Sequence, residues 1–135
     1  MKKLLLNLVF LFFAFTVMAQ DAFLTTWQTT SNSESITIPT ASGETYDYTV
    51  DWGECTIDTN VTGNITHTYT TAATYQVSIT GTFPRILFGT DYSSKPDNIL
   101  SVDQWGTISW SCMELAVARC DNVVFSATDA PDLSN

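Results

Sequence analysis

Residues 46–54, Tyr-Asp-Tyr-Thr-Val-Asp-Trp-Gly-Glu, alternate apolar and polar side chains and end in a Trp-Gly turn. This alternation is typical of a β-strand that buries one face. Residues 65–69 (Ile-Thr-His-Thr-Tyr) and 75–79 (Tyr-Gln-Val-Ser-Ile) repeat the pattern after a polar turn. The three stretches together predict antiparallel strands that contribute aromatic and branched side chains to one core.

The two-residue period of a strand sorts the apolar side chains of this region onto two faces. One face holds Tyr46, Tyr48, Val50 and Trp52, and the other holds Tyr75, Val77 and Ile79. We expect the two faces to pack against each other from opposite layers, because each buried aromatic side chain contributes roughly 1.5–3 kcal/mol. Turn-forming residues, including those at 58–64, separate the short strands, and this spacing favours a β-sandwich over residues 20–82.

The N-terminus has the pattern of a secretory signal peptide. Two lysines precede an almost wholly apolar run at residues 4–17, and Ala19 offers a small residue for cleavage. The run is shorter than the roughly 20 residues that span a bilayer. We therefore expect residues 1–19 to be removed after Ala19. The mature chain is then secreted or held at the cell surface, without a membrane span.

The chain after Ala19 is strongly acidic. It contains three basic residues and all 14 acidic ones, which gives a formal charge of −11. Such a surface repels nucleic acids and anionic membranes, so neither is an expected partner. The length suits one domain, and the charge suits the solubility of an exported protein.

The three cysteines can close at most one disulfide. They are Cys55, Cys112 and Cys120. We predict that Cys120 is a small buried apolar residue and that Cys55 is a loop thiol. No Cys or His spacing indicates zinc, and no cofactor is expected.

A linker is predicted at residues 83–96, because Phe83-Pro84 ends a strand and Gly, Ser and Pro follow. Residues 85–88 could form a short strand within it. After the linker, the sequence Asp-Asn-Ile-Leu at 97–100 recurs as Asp-Asn-Val-Val at 121–124. The recurrence has a period of about 24 residues, which lies in the range of leucine-rich repeats.

Residues 111–119 predict a short helix between the two copies, with Met113, Ala116, Val117 and Cys120 on its inner side. Residues 97–135 would then form one incomplete coil of strand, helix and strand. A single coil cannot bury both of its faces. Either the chain is a truncated product of a longer repeat protein, or the tail packs on the sandwich.

Residues 50–54, Val-Asp-Trp-Gly-Glu, correspond to the aromatic-x-Gly-Asp-Gly turn of PKD domains. Residues 67–69 and 74–79 correspond to the His-x-Tyr and Gly-x-Tyr-x-Val strands of that family. This part of the chain resembles a PKD domain, an Ig-like antiparallel sandwich of secreted and surface proteins. The departures are Glu54 for Asp, Cys55 for Gly and Ala73 for Gly. A turn that needs positive φ would be strained at Cys55.

The second half of the chain is similar to the entry of BspA-type leucine-rich repeats of bacterial surface proteins. The matching residues are Trp-Ser-Cys-Met at 110–113, Ala-Arg-Cys-Asp-Asn-Val at 118–123 and Ala-Pro-Asp-Leu-Ser-Asn at 130–135. Arg119 stands where Gly is usual. The resemblance implies an adhesive or surface-displayed protein whose relatives continue into further repeats.

Five residues are assigned structural roles at the turn or in the core of the first module. They are Trp52, Gly53, His67, Tyr69 and Tyr75. His67 could act as a general base oriented by Asp47 or Asp51. His67 lies on the same face of its strand as Ile65 and Tyr69. This position favours a structural side chain that is hydrogen-bonded to a carboxylate or carbonyl group. No Gly-x-Ser-x-Gly elbow is present, and we predict no catalytic residue.

Two further groups of residues could bind ligands. Asp51, Glu54 and Asp58 could supply part of the six to eight oxygens that calcium requires, although the Asp-x-Asp-x-Asp-Gly loop is absent. The alternative is a solvated acidic loop in which Asp51 caps its own turn. An aromatic platform for sugar or peptide could be formed by Trp27, Trp105 and Trp110. Core packing is favoured, because a small domain needs large apolar groups.

The sequence favours an exported, non-enzymatic module of the surface or adhesion type. A PKD-like spacer would lead into a leucine-rich-repeat segment that recognises an unknown extracellular protein or glycan. One alternative is a carbohydrate- or calcium-binding accessory module of a secreted system. Another is a small secreted hydrolase that uses His67.

Overall fold

The computed structural model describes residues 21–89 and 96–134. The predicted signal peptide and its cleavage site lie outside this range. The strands are β1 (Phe23–Gln28), β2 (Glu34–Ile38), β3 (Asp47–Asp51), β4 (Ile57–Val61), β5 (Ile65–Tyr69), β6 (Thr74–Thr82), β7 (Ile99–Gln104) and β8 (Val124–Phe125). One turn of 3₁₀ helix, Pro96–Asn98, precedes β7. Within the described ranges, no helix has the length and apolarity needed to cross a membrane.

The strands form two sheets. A six-stranded sheet has the order β4-β3-β6-β1-β7-β8, and β2 pairs with β5 in a second sheet. Every strand pair is antiparallel except β7 with β8. The prediction of a mainly β protein is confirmed, and the arrangement is consistent with a β-sandwich.

The expected packing of β3 against β6 from opposite layers is wrong. The two strands are hydrogen-bonded neighbours in one sheet, with Val50 opposite Ile79. Their apolar side chains share one core with Ile36, Ile38 and Tyr69 from the β2–β5 sheet. Alternation specifies which side chains of a strand share a face, but it leaves the neighbouring strand open.

Two local predictions in the first region also differ from the structure. Residues 57–61, which include part of a predicted turn, form the edge strand β4 and pair with β3. The strand predicted at 85–88 is reduced to a single bridge between Thr40 and Ile86. The Leu87 N–H donates to the Pro39 carbonyl oxygen, but Pro39 has no N–H with which to extend the pairing. Phe83, Ile86 and Phe88 are nevertheless buried.

The chain after residue 96 joins the same main sheet. β7 pairs with β1, and β8 pairs with β7. The helix predicted at 111–119 is absent, and consecutive turns occupy residues 114–119. Leu115 and Arg119 have φ values of 58° and 68°, which a right-handed helix excludes. The predicted inner side is still correct, because Ala116 and Cys120 are buried and Met113 and Val117 are partly buried against the core.

Candidate functional site

Four aromatic side chains stack at the end of β3. Trp52 stacks on His67 with ring centres 4.8 Å apart, and His67 meets Tyr69 edge-on at 4.6 Å. Tyr69 stacks in turn on Tyr75 at 3.8 Å. We call Trp52, His67, Tyr69 and Tyr75 the aromatic column. It brings together four of the five residues that the sequence assigned to the turn and core.

Hydrogen bonds fix each ring of the aromatic column. The Trp52 Nε1–H donates to Asp58 Oδ2 at 2.8 Å, and the Tyr69 hydroxyl donates to the Trp52 carbonyl oxygen at 2.8 Å. The Tyr75 hydroxyl donates to the Thr71 carbonyl oxygen at 2.6 Å. Burial, with a smaller contribution from the charge of Glu54, raises the pKa of Tyr69 far above its usual 10. Tyr69 therefore remains a hydrogen-bond donor at physiological pH.

His67 pairs with a carboxylate, as its predicted bracing role requires. Its Nε2 lies 2.7 Å from Glu54 Oε1. The partner is Glu54, however, and not Asp47 or Asp51, which the sequence suggested for a catalytic arrangement. The His67 side chain is 14% exposed and that of Glu54 27% exposed. The pair therefore fixes the imidazole ring in its position between Trp52 and Tyr69.

The turn after β3 is closed by its own backbone. The Trp52 N–H donates to the Thr56 carbonyl oxygen at 3.0 Å, and Asp51 Oδ1 accepts from the Gly53 N–H at 2.9 Å. Asp51 thus caps its turn as predicted. Gly53 has φ +79° and Cys55 has φ +69°, so Cys55 adopts a left-handed conformation that strains a residue other than glycine.

The three acidic side chains considered for calcium point to different protein donors. Asp51 accepts from Gly53, Glu54 pairs with His67 and Asp58 accepts from Trp52. Across the described ranges, no three His, Cys, Asp or Glu side chains are grouped to hold a metal ion. The oxygens that lie close in sequence are therefore distributed around the turn.

The three cysteines lie within the described ranges and are free thiols. Cys55 is exposed and Cys120 is buried, as predicted, and Cys112 is partly buried. Burial raises the pKa of Cys120 to about 11, with smaller contributions from Asp97 and Asp121. Cys120 is therefore an uncharged packing residue at neutral pH.

The tryptophans considered as a ligand platform belong to the core. Trp27 and Trp110 are fully buried. Trp105 is partly buried and stacks on Phe125 with ring centres 6.1 Å apart. The platform is not formed by these side chains, and Phe125 is instead the ring that faces outward, with 54% exposure.

The chain from residue 122 onward runs parallel to the chain from residue 99 onward. Ser101 lies opposite Val124 and Val102 lies opposite Phe125 in β8. A further parallel bridge joins Ser109 and Asp132. All three pairs have the same separation along the chain, and it is one position shorter than the period of the Asp-Asn repeat in the sequence.

Two carboxylates attach this parallel segment to the sheet. Asp129 accepts the backbone N–H groups of Trp105 and Gly106, at 3.0 and 2.8 Å. Asp103 accepts hydroxyl groups of Thr26 and Ser126, at 2.6 and 2.7 Å. Neither residue was predicted from the sequence to have a structural role. The separation of Trp105 and Asp129 equals the period of the sequence repeat, and this signal could have indicated one of them.

We call residues 121–133, with the outer edge of β8, the parallel edge. Val124 and Phe125 are 61% and 54% exposed, and Leu133 is 52% exposed. No pocket opens among the residues that the structure describes. No family model, curated protein or solved structure matches the chain.

Proposed function

We propose that this protein is an exported, non-enzymatic recognition module of the surface or adhesion type. A PKD-like sandwich acts as a rigid support, and a leucine-rich-repeat-like segment presents the surface that binds an extracellular protein or glycan. The observation that carries the proposal is the continuous sheet, in which β7 pairs antiparallel with β1 and parallel with β8. β7 thus belongs both to the sandwich and to the leucine-rich-repeat-like segment.

The turn that follows β3 favours a sandwich that acts as a rigid support. Trp52 and Tyr69 are fully buried, and the Trp52 carbonyl oxygen accepts from the Tyr69 hydroxyl. This contact joins the main sheet to the β2–β5 sheet across the core. The turn itself joins β3 to β4 within the main sheet, and the aromatic column holds it against the second layer. Such a contact between layers supports an Ig-like sandwich of the PKD type.

The leucine-rich-repeat-like segment is supported by the spacing of its parallel neighbours along the chain. The parallel neighbours at 101 and 124, at 102 and 125 and at 109 and 132 share one constant step along the chain. Parallel strands of equal step are the construction of a solenoid, and this step falls within the roughly 20–29 residues of leucine-rich repeats. The near agreement of register and sequence period supports one coil of this kind.

The contacts of His67 favour a structural role over a hydrolytic one. Its Nε2 meets Glu54 at 2.7 Å and its ring is held between Trp52 and Tyr69. A general base must reach the proton of a nucleophile, and packing between two rings leaves the His67 side chain only 14% exposed. We therefore expect His67→Ala to lower the free energy of unfolding without abolishing recognition.

Export is tested first, by producing the full chain in a bacterial host with an epitope at its C-terminus. We expect mature protein that begins at Gln20, identified by N-terminal sequencing, and loss of the epitope when intact cells are treated with protease. Ala19→Arg should block cleavage, because the signal-peptide rule requires a small residue there. Full-length protein with Met1 in the cytoplasm would contradict the proposal.

Recognition is tested with the mature chain immobilised and exposed to arrays of extracellular proteins and glycans. We expect saturable binding to at least one class, retained by His67→Ala. The opposite result is turnover of an ester, peptide or glycoside substrate that His67→Ala abolishes while circular dichroism shows an unchanged fold. That result would replace the proposal with a hydrolase.

A further inference from the structure

The main sheet ends at β8 within the described part of the chain. A terminal strand presents backbone N–H and C=O groups to any extended segment that lies beside it. Two large apolar side chains of this strand, Val124 and Phe125, are 61% and 54% exposed. The parallel edge therefore offers both hydrogen-bonding groups and apolar surface.

The opposite end of the sheet provides a natural comparison. Its terminal strand is β4, where Ile57 is 56% exposed. β4 lies directly after the turn at 52–56, and Asp58 of β4 accepts the hydrogen bond from Trp52. β4 is thus attached to the aromatic column, whereas the much shorter β8 is held through Asp103, Ser126 and Asp129.

The charged side chains of the parallel edge have one sign. Residues 121–133 contain three acidic side chains and no basic one. A second copy of this chain would bring the same negative charge to the contact, which like-charge repulsion disfavours. A partner with basic side chains would be attracted to it.

We propose that the parallel edge binds an extended segment of a partner protein, in which apolar residues alternate with lysine or arginine, as an added strand beside β8. Backbone hydrogen bonds supply affinity in this mode of recognition, and alternate side chains supply selectivity. Neighbouring residues of a strand point to opposite faces, so the apolar side chains of the segment pack beside Phe125. Its cations lie on the other face, beside Val124, where Ser101 lies opposite Val124 and donates to Asp103. The inference rests on the proposed function, because it names the partner class of that recognition surface.

The probe is a ten-residue peptide that alternates valine and lysine, titrated into the isotope-labelled mature chain and followed by NMR. We expect amide shifts concentrated at residues 123–126 and weaker binding as salt is added, because ions screen surface charges. A peptide that alternates valine and glutamate should produce no saturable shifts. A valine–lysine peptide with N-methylated backbone should lose at least tenfold in affinity, since it cannot complete the strand pairing.

Matched variants locate the contact. Val124→Lys should weaken the affinity for the peptide at least tenfold, because lysine on an edge strand opposes strand addition. Ile57→Lys adds the same charge at a similarly exposed position on β4 and should change the affinity less than twofold. Both positions are exposed, so both variants should keep the fold, which the dispersion of the amide spectrum checks.

Equal binding of the glutamate peptide, shifts centred on β4, or an unchanged affinity in Val124→Lys would each overturn the inference. Concentration-dependent self-association that Val124→Lys removes would assign the edge to a second copy and would also overturn it. Failure of the peptide, with export and extracellular binding intact, rejects this inference alone. Cytoplasmic retention rejects the proposed function whatever the peptide does.

Discussion

The first region of the protein, residues 23–82, and the second, residues 97–134, are held together by different means. Six of the eight strands lie in the first region, where Tyr48, Val50, Val77 and Ile79 alternate with more exposed neighbours. The second region has two strands joined by turns. Side-chain carboxylates at Asp103 and Asp129 attach its segments to one another.

This difference shows why the two stretches of chain give different amounts of regular structure. Alternating apolar residues remove one whole face of a strand from water, so burial and backbone pairing act together. In the second region the constant step between parallel partners brings chains side by side, but Val124 and Phe125 stay exposed. The order of β8 therefore depends more on individual hydrogen bonds than on a shared apolar face, whereas Ile99, Ile108 and Trp110 attach the rest of the second region to the core.

The largest effect is expected in the first region, at Gly53. A Cβ at this position would collide with the Gln76 carbonyl oxygen, and the backbone has φ +79°. We expect Gly53→Ala to lower the free energy of unfolding by about 2–4 kcal/mol, because strain and a backbone clash combine. Chemical denaturation measures this change. Gly63→Ala, where a Cβ meets nothing within 4 Å, is the control and should stay within about 0.5 kcal/mol.

Two tryptophan substitutions compare the regions directly. Trp52 Nε1 donates to Asp58, whereas Trp110 Nε1 is buried without a partner among the described residues. We expect Trp52→Phe to destabilise the fold by about 1–2 kcal/mol more than Trp110→Phe, since only the first change removes a hydrogen bond to a charged group. Denaturant midpoints of the two variants provide the measurement. Equal losses would mean that ring volume alone decides.

Hydrogen exchange tests how far the second region shares the stability of the first. β7 pairs on both sides, with β1 and β8, so its amides should be protected like those of β6. Amides at 114–119, in turns, should exchange on the order of 100-fold faster. Fast exchange throughout β7 would show that residues 97–134 open as a unit apart from the sandwich.

Lowering the pH should destabilise mainly the second region, and this is the smallest of the expected effects. Burial raises the pKa of Asp103, but hydrogen bonds from Ser101, Thr26, Ser126 and Gln76 outweigh it and hold the pKa below its ordinary value. The stabilisation is complete above the unfolded pKa of about 3.9 and is lost as the pH falls through the lower folded pKa. Asp103→Asn should therefore flatten the fall in stability below about pH 4. Ser126→Ala should give a partial effect, and an unchanged acid profile in both variants would rule out this role.

Much of the first region was predictable because its signal is local. Alternation identified buried side chains correctly at Tyr48, Val50, Trp52, Tyr69, Val77 and Ile79. It also placed Tyr75 on a buried face, but this side chain is only partly buried. Alternation could not show which strand lies beside β3. The same side chains are buried whether β3 and β6 pair in one sheet or pack face to face from opposite layers. Asp58, Thr59 and Asn60 favour turns by composition, yet pairing with β3 makes them an edge strand.

The second region and the site were less predictable for a related reason. Residues 111–119 contain good helix formers, but positive φ at Leu115 and Arg119 prevents a helix. The partner of His67 proved to be Glu54, which approaches because the turn reverses after Trp52. Asp129 acts on the backbone of Trp105 and Gly106, which are distant from it in sequence, so no short motif marks it.

The position of β1 has a consequence for how the chain acquires its fold during synthesis. β1 begins at Phe23 but lies between β6 and β7, and both neighbours emerge from the ribosome much later. Until residue 104 is made, Phe23 and Trp27 lack part of their final surroundings. Loop closure over such distances is slow. The central strand of the main sheet therefore completes its pairing only after β7 has been synthesised.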